Sequence, residues 1–148
     1  MIARGLDAYR SVDVDSAILS ASSVELIVML YDGAMTAIQR AKGEIGQKNF
    51  AAKAALISRA VAIVAALRDA LNEPQGGEIA VNLKDLYLYI EKALMEASLN
   101  NSIERLDECH RLMAELHEAW AILAKSDLAR NAQAAKTDGT STISYGKV

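Results

Sequence analysis

Residues 76–99 read GGEIAVNLKDLYLYIEKALMEASL, and the periodicity of this run decides the fold. At ~100° per residue, Ile79, Leu83, Leu86, Tyr87, Ile90, Leu94 and Ala97 share one helical face, broad enough to bury against a bundle core. The run is entered through Asn72-Glu73-Pro74-Gln75-Gly76-Gly77, where proline and paired glycines interrupt any preceding helix. A helix over 78 to 99 follows. On its other side Val81, Leu88 and Met95 recur at i, i+7 and i+14, with Leu99 beside them, the seam spacing of a helix that pairs with another helix. One core contact does not need that second stripe. The spacing therefore predicts a groove for a partner helix, against the plainer alternatives of tilted packing that buries both faces or ordinary scattered surface residues.

Upstream of this run, Ser22-Ser23-Val24-Glu25 fits an S-x-x-E capping box, in which the hydroxyl and the carboxylate satisfy free amide donors. A first helix over 22 to 46 follows, with Leu26, Ile27, Leu30, Ala34, Ile38, Ala41 and Ile45 as its core stripe. Val28 and Met35 widen the stripe, and Met29 lies outside it. Lys42, Gly43, Gly46 and Lys48 mark the end of that helix. Asn49 is placed to cap a second helix reaching Leu71, with Leu56, Ile57, Val61, Ile63, Val64, Leu67 and Leu71 on one arc. Ala51, Ala55, Ala62 and Ala66 form another strip, which reads as close helix approach or simply as alanine's high helix propensity. Downstream, Asn100-Asn101-Ser102 separates helix three from a fourth helix ending near 126, with Leu106, Cys109, Met113, Leu116, Trp120 and Leu123 on its core stripe. Four long helices with short connections predict an all-α, antiparallel up-down four-helix bundle over 22–126. Residues 1–21 read as a flexible N-terminal arm anchored by Leu6 and Tyr9. Residues 127–148 read as a polar, disordered C-terminal tail.

Composition narrows the function. A chain of 148 residues suits one domain, and its formal net charge of −3 lacks the basic footprint of a nucleic-acid binder. One cysteine cannot form an internal disulfide, and charge near the N-terminus breaks any signal-peptide core. The longest uninterrupted apolar run, Ala60 to Leu67, lies between Arg59 and Arg68, far short of the ~20 residues that span a bilayer. A cytosolic protein without stable membrane insertion is expected.

The residues that could carry chemistry do not converge. His110 and His117 are seven apart on one helix, ~10.5 Å by rise, too far to hold one metal without outside ligands. Asp107-x-x-His110 is the nearest match to the Glu-x-x-His of di-metal bundles, but the other helices offer apolar residues inward. Gly76-Gly77 lacks the G-x-x-x-x-G-K-[ST] frame of a phosphate loop and reads as a connector. A His-containing phosphotransfer or other signalling module is the alternative function. The contexts His110-Arg-Leu-Met and His117-Glu-Ala-Trp, however, differ from the His-x-x-Lys-Gly of phosphotransfer bundles. Cys109 reads as a core residue.

Several blocks together resemble the bacterial flagellar secretion chaperones that bind flagellin. They are Ala8-Tyr9, Ala21-Ser22 leading to Glu25-Leu26-Ile27-Val28-Met29-Leu30-Tyr31-Asp32-Gly33-Ala34, Gly76-Gly77-Glu78-Ile79-Ala80 with Asn82-Leu83 and Leu86-Tyr87, and Glu118-Ala119-Trp120. Ser98 departs from the family's usual Asn after Ala97. The resemblance covers residues 1 to about 123 and implies a cytosolic chaperone, not an enzyme. Such a protein binds the C-terminal helical segment of flagellin, prevents premature polymerisation, and assists export through the flagellar type III system. Flagellin and the export gate are the implied partners, with a co-chaperone or flagellar regulator as a further one, and no cofactor or metal is implied. With the surplus apolar positions, the resemblance gives as partner-binding residues Leu6 and Tyr9 in the arm, Val28, Met29, Tyr31 and Met35 in helix one, and Val81, Leu88, Met95 and Leu99 in helix three.

Overall fold

The computed structural model describes residues 23–137. The arm with Leu6 and Tyr9, the capping residue Ser22 and residues 138–148 lie outside the described residues. Four helices follow in order, α1 (Ser23–Gly46), α2 (Phe50–Asp69), α3 (Glu73–Asn100) and α4 (Ile103–Thr137), with no strand among the described residues. Contacts divide the chain into a unit over Ile27–Glu118 and a second made of Met1–Leu26 and Ala119–Val148. The bundle described below is the first unit.

Side-chain pairs give the helix directions. Asp32 and Lys42 of α1 meet His117 and Asp107 of α4, so a step forward along α1 is a step back along α4. Lys53 of α2 reaches Ser98 and Asn101, whereas Arg68 reaches Glu91 nearer the start of α3. Tyr89 and Glu96 of α3 meet Glu108 and Arg105 of α4, again in opposite senses. Neighbours in sequence therefore run antiparallel, the up-down order that short connections impose.

The interior is aliphatic with one polar pair. Ile38, Val64, Ile90, Leu94, Leu106, Cys109 and Met113 are fully buried, and truncating a leucine in such a position costs about 2–5 kcal/mol. Tyr31 of α1 and Tyr87 of α3 are also buried, with hydroxyls 2.6 Å apart in a hydrogen bond. Pairing removes the penalty that an unbonded phenol would suffer there and links α1 to α3 at a single register.

Helix ends show how local chemistry sets the connections. At the end of α1, Lys48 takes φ 59° in the left-handed region; Asn49 N–H donates to Glu44 O (2.8 Å) and Lys48 N–H to Ile45 O (3.0 Å). This is the double-bonded Schellman stop, here with lysine where glycine is usual. Asn49 does stand at the N-cap of α2, but its side chain donates to Glu44 Oε1 and makes no cap bond, contrary to the capping expected from sequence. The Asn72 side chain does cap α3, accepting from Gln75 N–H, and Ser102 Oγ caps α4, accepting from Arg105 N–H.

Gly77 breaks the start of α3 with φ 58° and ψ −133°, a conformation open essentially to glycine alone. The turn 73–76 is helical, and the long run starts at residue 78, where periodicity places it. The kink also re-aims the first turn. Ala80 is buried, whereas Ile79, expected on the core face, is 73% exposed. Two further expectations are corrected in α4. The helix continues to Thr137 where the sequence reading ends it near 126, and Trp120 keeps part of its surface in solvent. Leu123, expected on the same core stripe, is exposed as well.

By length and composition α2 could cross a membrane, a property that the uninterrupted run of eight residues conceals because Lys53 and Arg59 are spaced along an otherwise apolar helix. In the bundle it is packed against α3 by Ile57, Ala60, Val64 and Leu67.

Candidate functional site

The outward face of α3 carries a row of exposed apolar side chains. Val81 and Leu88 are each 43% exposed, Met95 58% and Leu99 82%, so all four residues of the second stripe face solvent. From Val81 to Leu99 they span about 27 Å of helix. Beside them the exposed residues of α2 include Ala51, Ala54, Ala55, Ser58, Arg59, Ala62 and Ala66, small side chains apart from Arg59. The alanine strip expected from sequence thus faces outward rather than into the bundle.

Toward the C-terminal end of α3 the two faces enclose an open groove of about 500 Å³, lined by Ile57, Ser58, Val61 and Ala62 of α2 and by Met95, Ser98 and Leu99 of α3. Such a surface offers large flexible anchors on one side and a shallow floor on the other, with two serines as its polar groups. It suits the apolar face of a helix, which needs anchors three to four residues apart and little polar readout.

Lys53 lies one turn before the groove residue Ile57 and bonds to the backbone of the groove residue Ser98. Its side chain is buried, and Nζ donates to Ser98 O (2.7 Å) and Asn101 Oδ1 (2.9 Å) while lying 5.6 Å from the Phe50 ring centroid. Periodicity alone assigns it no role, although a signal exists. Lys53 stands with Ile57, Ala60, Val64 and Leu67 on the buried stripe of α2, where a cation is out of place. At the far end of α2, Arg68 forms a two-point contact with Glu91, Nε to Oε2 at 2.7 Å and Nη2 to Oε1 at 3.2 Å, fixing the other end of the α2–α3 seam.

The remaining expected partner residues fall elsewhere. Met29 is exposed on α1, and Val28 and Met35 are partly buried; none lines the groove. Tyr31, expected among the partner-binding residues, is a core residue that does not line the groove: its ring is fully buried and its hydroxyl is engaged by Tyr87. Leu6 and Tyr9 lie outside the described residues.

The titratable groups serve structure. His117 Nε2 is 2.7 Å from Asp32 Oδ1, joining α4 to α1. Burial and the nearby Lys42 charge hold the His110 imidazole below its usual pKa, with Asp107 acting weakly the other way. Both rings are partly buried. Tyr89 donates to Glu108 Oε2 (2.6 Å) and Arg105 to Glu108 Oε1 (3.0 Å), and these two bonds hold the Glu108 carboxyl below its ordinary range. The three form a polar clasp between α3 and α4.

Comparison with known proteins identifies the family. The family model described as "Flagellar protein FliS" matches residues 5–127. The chain is 40% identical over 119 residues to the flagellar secretion chaperone FliS of Salmonella typhimurium, covering 80% of this chain and 88% of that protein. It is 35% identical, with the same coverage, to the flagellar secretion chaperone FliS of Escherichia coli. To the flagellar secretion chaperone FliSB of Pseudomonas aeruginosa it is 32% identical, covering 79% of this chain and 93% of the relative.

Proposed function

Because the chain belongs to the FliS family of flagellar secretion chaperones, which are not enzymes, we propose that it works in the cytosol as the export chaperone of flagellin. It binds flagellin's C-terminal helical segment, keeps the subunit from polymerising early, and presents it to the gate of the flagellar type III export system. A co-chaperone or flagellar regulator is a further partner of the same kind.

The observation that carries this reading is the outward stripe Val81, Leu88, Met95 and Leu99 on α3, exposed beside the alanine-rich face of α2. An amphipathic helix laid along that track would bury its apolar face without asking the bundle to open. Non-polymerised flagellin carries such a face when it has no neighbouring subunit. Burial at about 25 cal/mol per Å² supplies the driving force, and the rotational and translational cost of association subtracts from it.

The test is co-elution of the purified chain with flagellin of the same organism on gel filtration, with a one-to-one complex expected. In Leu88→Asp, the far-ultraviolet helical signal and melting temperature should stay near those of the parent, because the side chain faces solvent, while co-elution is lost. A complex that survives Leu88→Asp would place the flagellin site elsewhere.

A further inference from the structure

We propose that Lys53 is the positioning residue of the α2–α3 groove: its buried ammonium stands in for a backbone donor at the end of α3 and so holds the wall made by Met95, Ser98 and Leu99 at the spacing a docked helix requires. The inference rests on the groove being the site for the flagellin helix.

Among the described residues two helix ends use the same left-handed stop, and they differ at one bond. At the end of α1 both terminal bonds come from the backbone, Asn49 N–H to Glu44 O and Lys48 N–H to Ile45 O. At the end of α3 Asn101 takes φ 50°, and Ser102 N–H donates to Ala97 O (3.0 Å), matching the first bond. The second bond is absent. Asn101 N–H also turns to Ala97 O, and Ser98 O, the counterpart of Ile45 O, is left for Lys53 Nζ at 2.7 Å. A side chain of α2 thus completes the last turn of α3, and Asn101 Oδ1 takes a second donor of the same ammonium.

Stability alone does not ask for a charge here. An ammonium 7% exposed is favourable only while its hydrogen bonds hold, and an apolar side chain of similar volume would fill the same stripe without that penalty. What the charge adds is a fixed distance. Ser98 lines the groove, Leu99 follows it at 82% exposure, and Met95 stands one turn before; Leu94 and Ala97 of the same turns anchor the helix in the core, whereas the last turn that carries Ser98 and Leu99 ends in the bond from Lys53. Ile57, one turn beyond Lys53, lines the facing wall. The chain from Ile57 through Lys53 to Ser98 O ties one wall to the other, and the positive charge lies at the carbonyl end of α3, where the helix dipole favours it.

The experiment is a double-mutant cycle on the full chain, titrated calorimetrically with a peptide covering the C-terminal helical segment of the same organism's flagellin. Lys53→Met and Leu99→Ala should each weaken binding by about tenfold, the range for losing one charged hydrogen bond or one buried anchor. Because Lys53 acts through the wall on which Leu99 stands, the double variant should bind no more than about twofold worse than the weaker single one, whereas the shifts in melting temperature add. Multiplying affinity losses, or an unchanged affinity in Lys53→Met, would overturn the proposal. If Lys53→Met does not fold, Asn101→Gly tests the same clasp. Glycine accepts φ 50° and removes only the Oδ1 acceptor, so affinity should fall about threefold and the melting temperature should fall less than in Lys53→Met, because the bond to Ser98 O remains; an unaltered affinity refutes the role. A parent chain that fails to bind the peptide refutes the flagellin reading itself, an outcome distinct from a parent that binds and variants that bind equally well.

Discussion

Cys109 shows how a single side chain reports on the core. Its Sγ is fully buried, 4.0 Å from Ile90 O, and burial first, then the Glu108 charge, pushes the thiol up to about 12 from its ordinary 9.0. The unfolded chain therefore releases this proton near pH 9 while the folded chain keeps it. Stability from the neutral thiol is complete below pH 9 and falls as pH rises through the window from 9 to about 12. At pH 10 the loss should be roughly 1 kcal/mol, allowing for some solvent screening. Urea unfolding at pH 8 and pH 10 should show a larger drop for the parent than for Cys109→Ala, since the tyrosines and lysines titrate in both. An equal drop would mean that the thiol reaches solvent in the folded state. The same burial makes Cys109 a packing residue, as its place on the apolar stripe of α4 suggests, because a reactive thiol needs a lowered pKa and access.

Within the helices, three glycines separate backbone need from helix propensity. Gly77 takes φ 58° with ψ −133°, and a Cβ added at Gly76 would lie 2.7 Å from the Cβ of buried Ala80. Gly77→Ala should cost about 1–3 kcal/mol through backbone strain, and Gly76→Ala should destabilise by crowding the entry to α3. Gly43 lies inside α1 with nothing within 4 Å of an added Cβ, so Gly43→Ala should stabilise by about 0.5–1 kcal/mol. Thermal unfolding of the three variants checks the ordering; a stable Gly77→Ala would contradict the kink. Such breaks were legible in the sequence because Pro74, Gly76 and Gly77 punctuate it, and the four helices were legible because each keeps one apolar period. The outward stripe of α3 was legible for the same reason. What periodicity cannot see is which of two adjacent apolar residues faces inward after a kink, hence Ile79. Nor does it show that a phenol such as Tyr31 finds a buried partner 56 residues away, or that the α2 alanines face out. Lys53 needed a third kind of knowledge, the position of a helix end on another element.

Taken as a whole, the molecule combines a net charge of −3 with an apolar track on α3 whose groove is lined by Ile57, Val61, Ala62, Met95 and Leu99 and by the hydroxyl-bearing Ser58 and Ser98. The charged pairs joining the helices, Lys42 with Asp107, Arg68 with Glu91 and Arg105 with Glu96, are engaged within the bundle rather than gathered along the groove. If the track binds the flagellin helix, affinity should come from removing apolar surface from water. Such burial gives a negative heat-capacity change on binding and little response to screening. Screening shortens the reach of exposed charges from about 10 Å at 0.1 M salt to about 3 Å at 1 M, so a charge-driven complex would lose affinity steeply over that range. Titration of the chain with the flagellin segment in 0.1 M and 0.5 M sodium chloride should give dissociation constants within about threefold of each other. Measured between 15 and 35 °C, the binding enthalpy should grow more negative with temperature. A tenfold loss of affinity in the higher salt, with an enthalpy flat in temperature, would move the interaction to the charged surface and away from the Val81–Leu99 track.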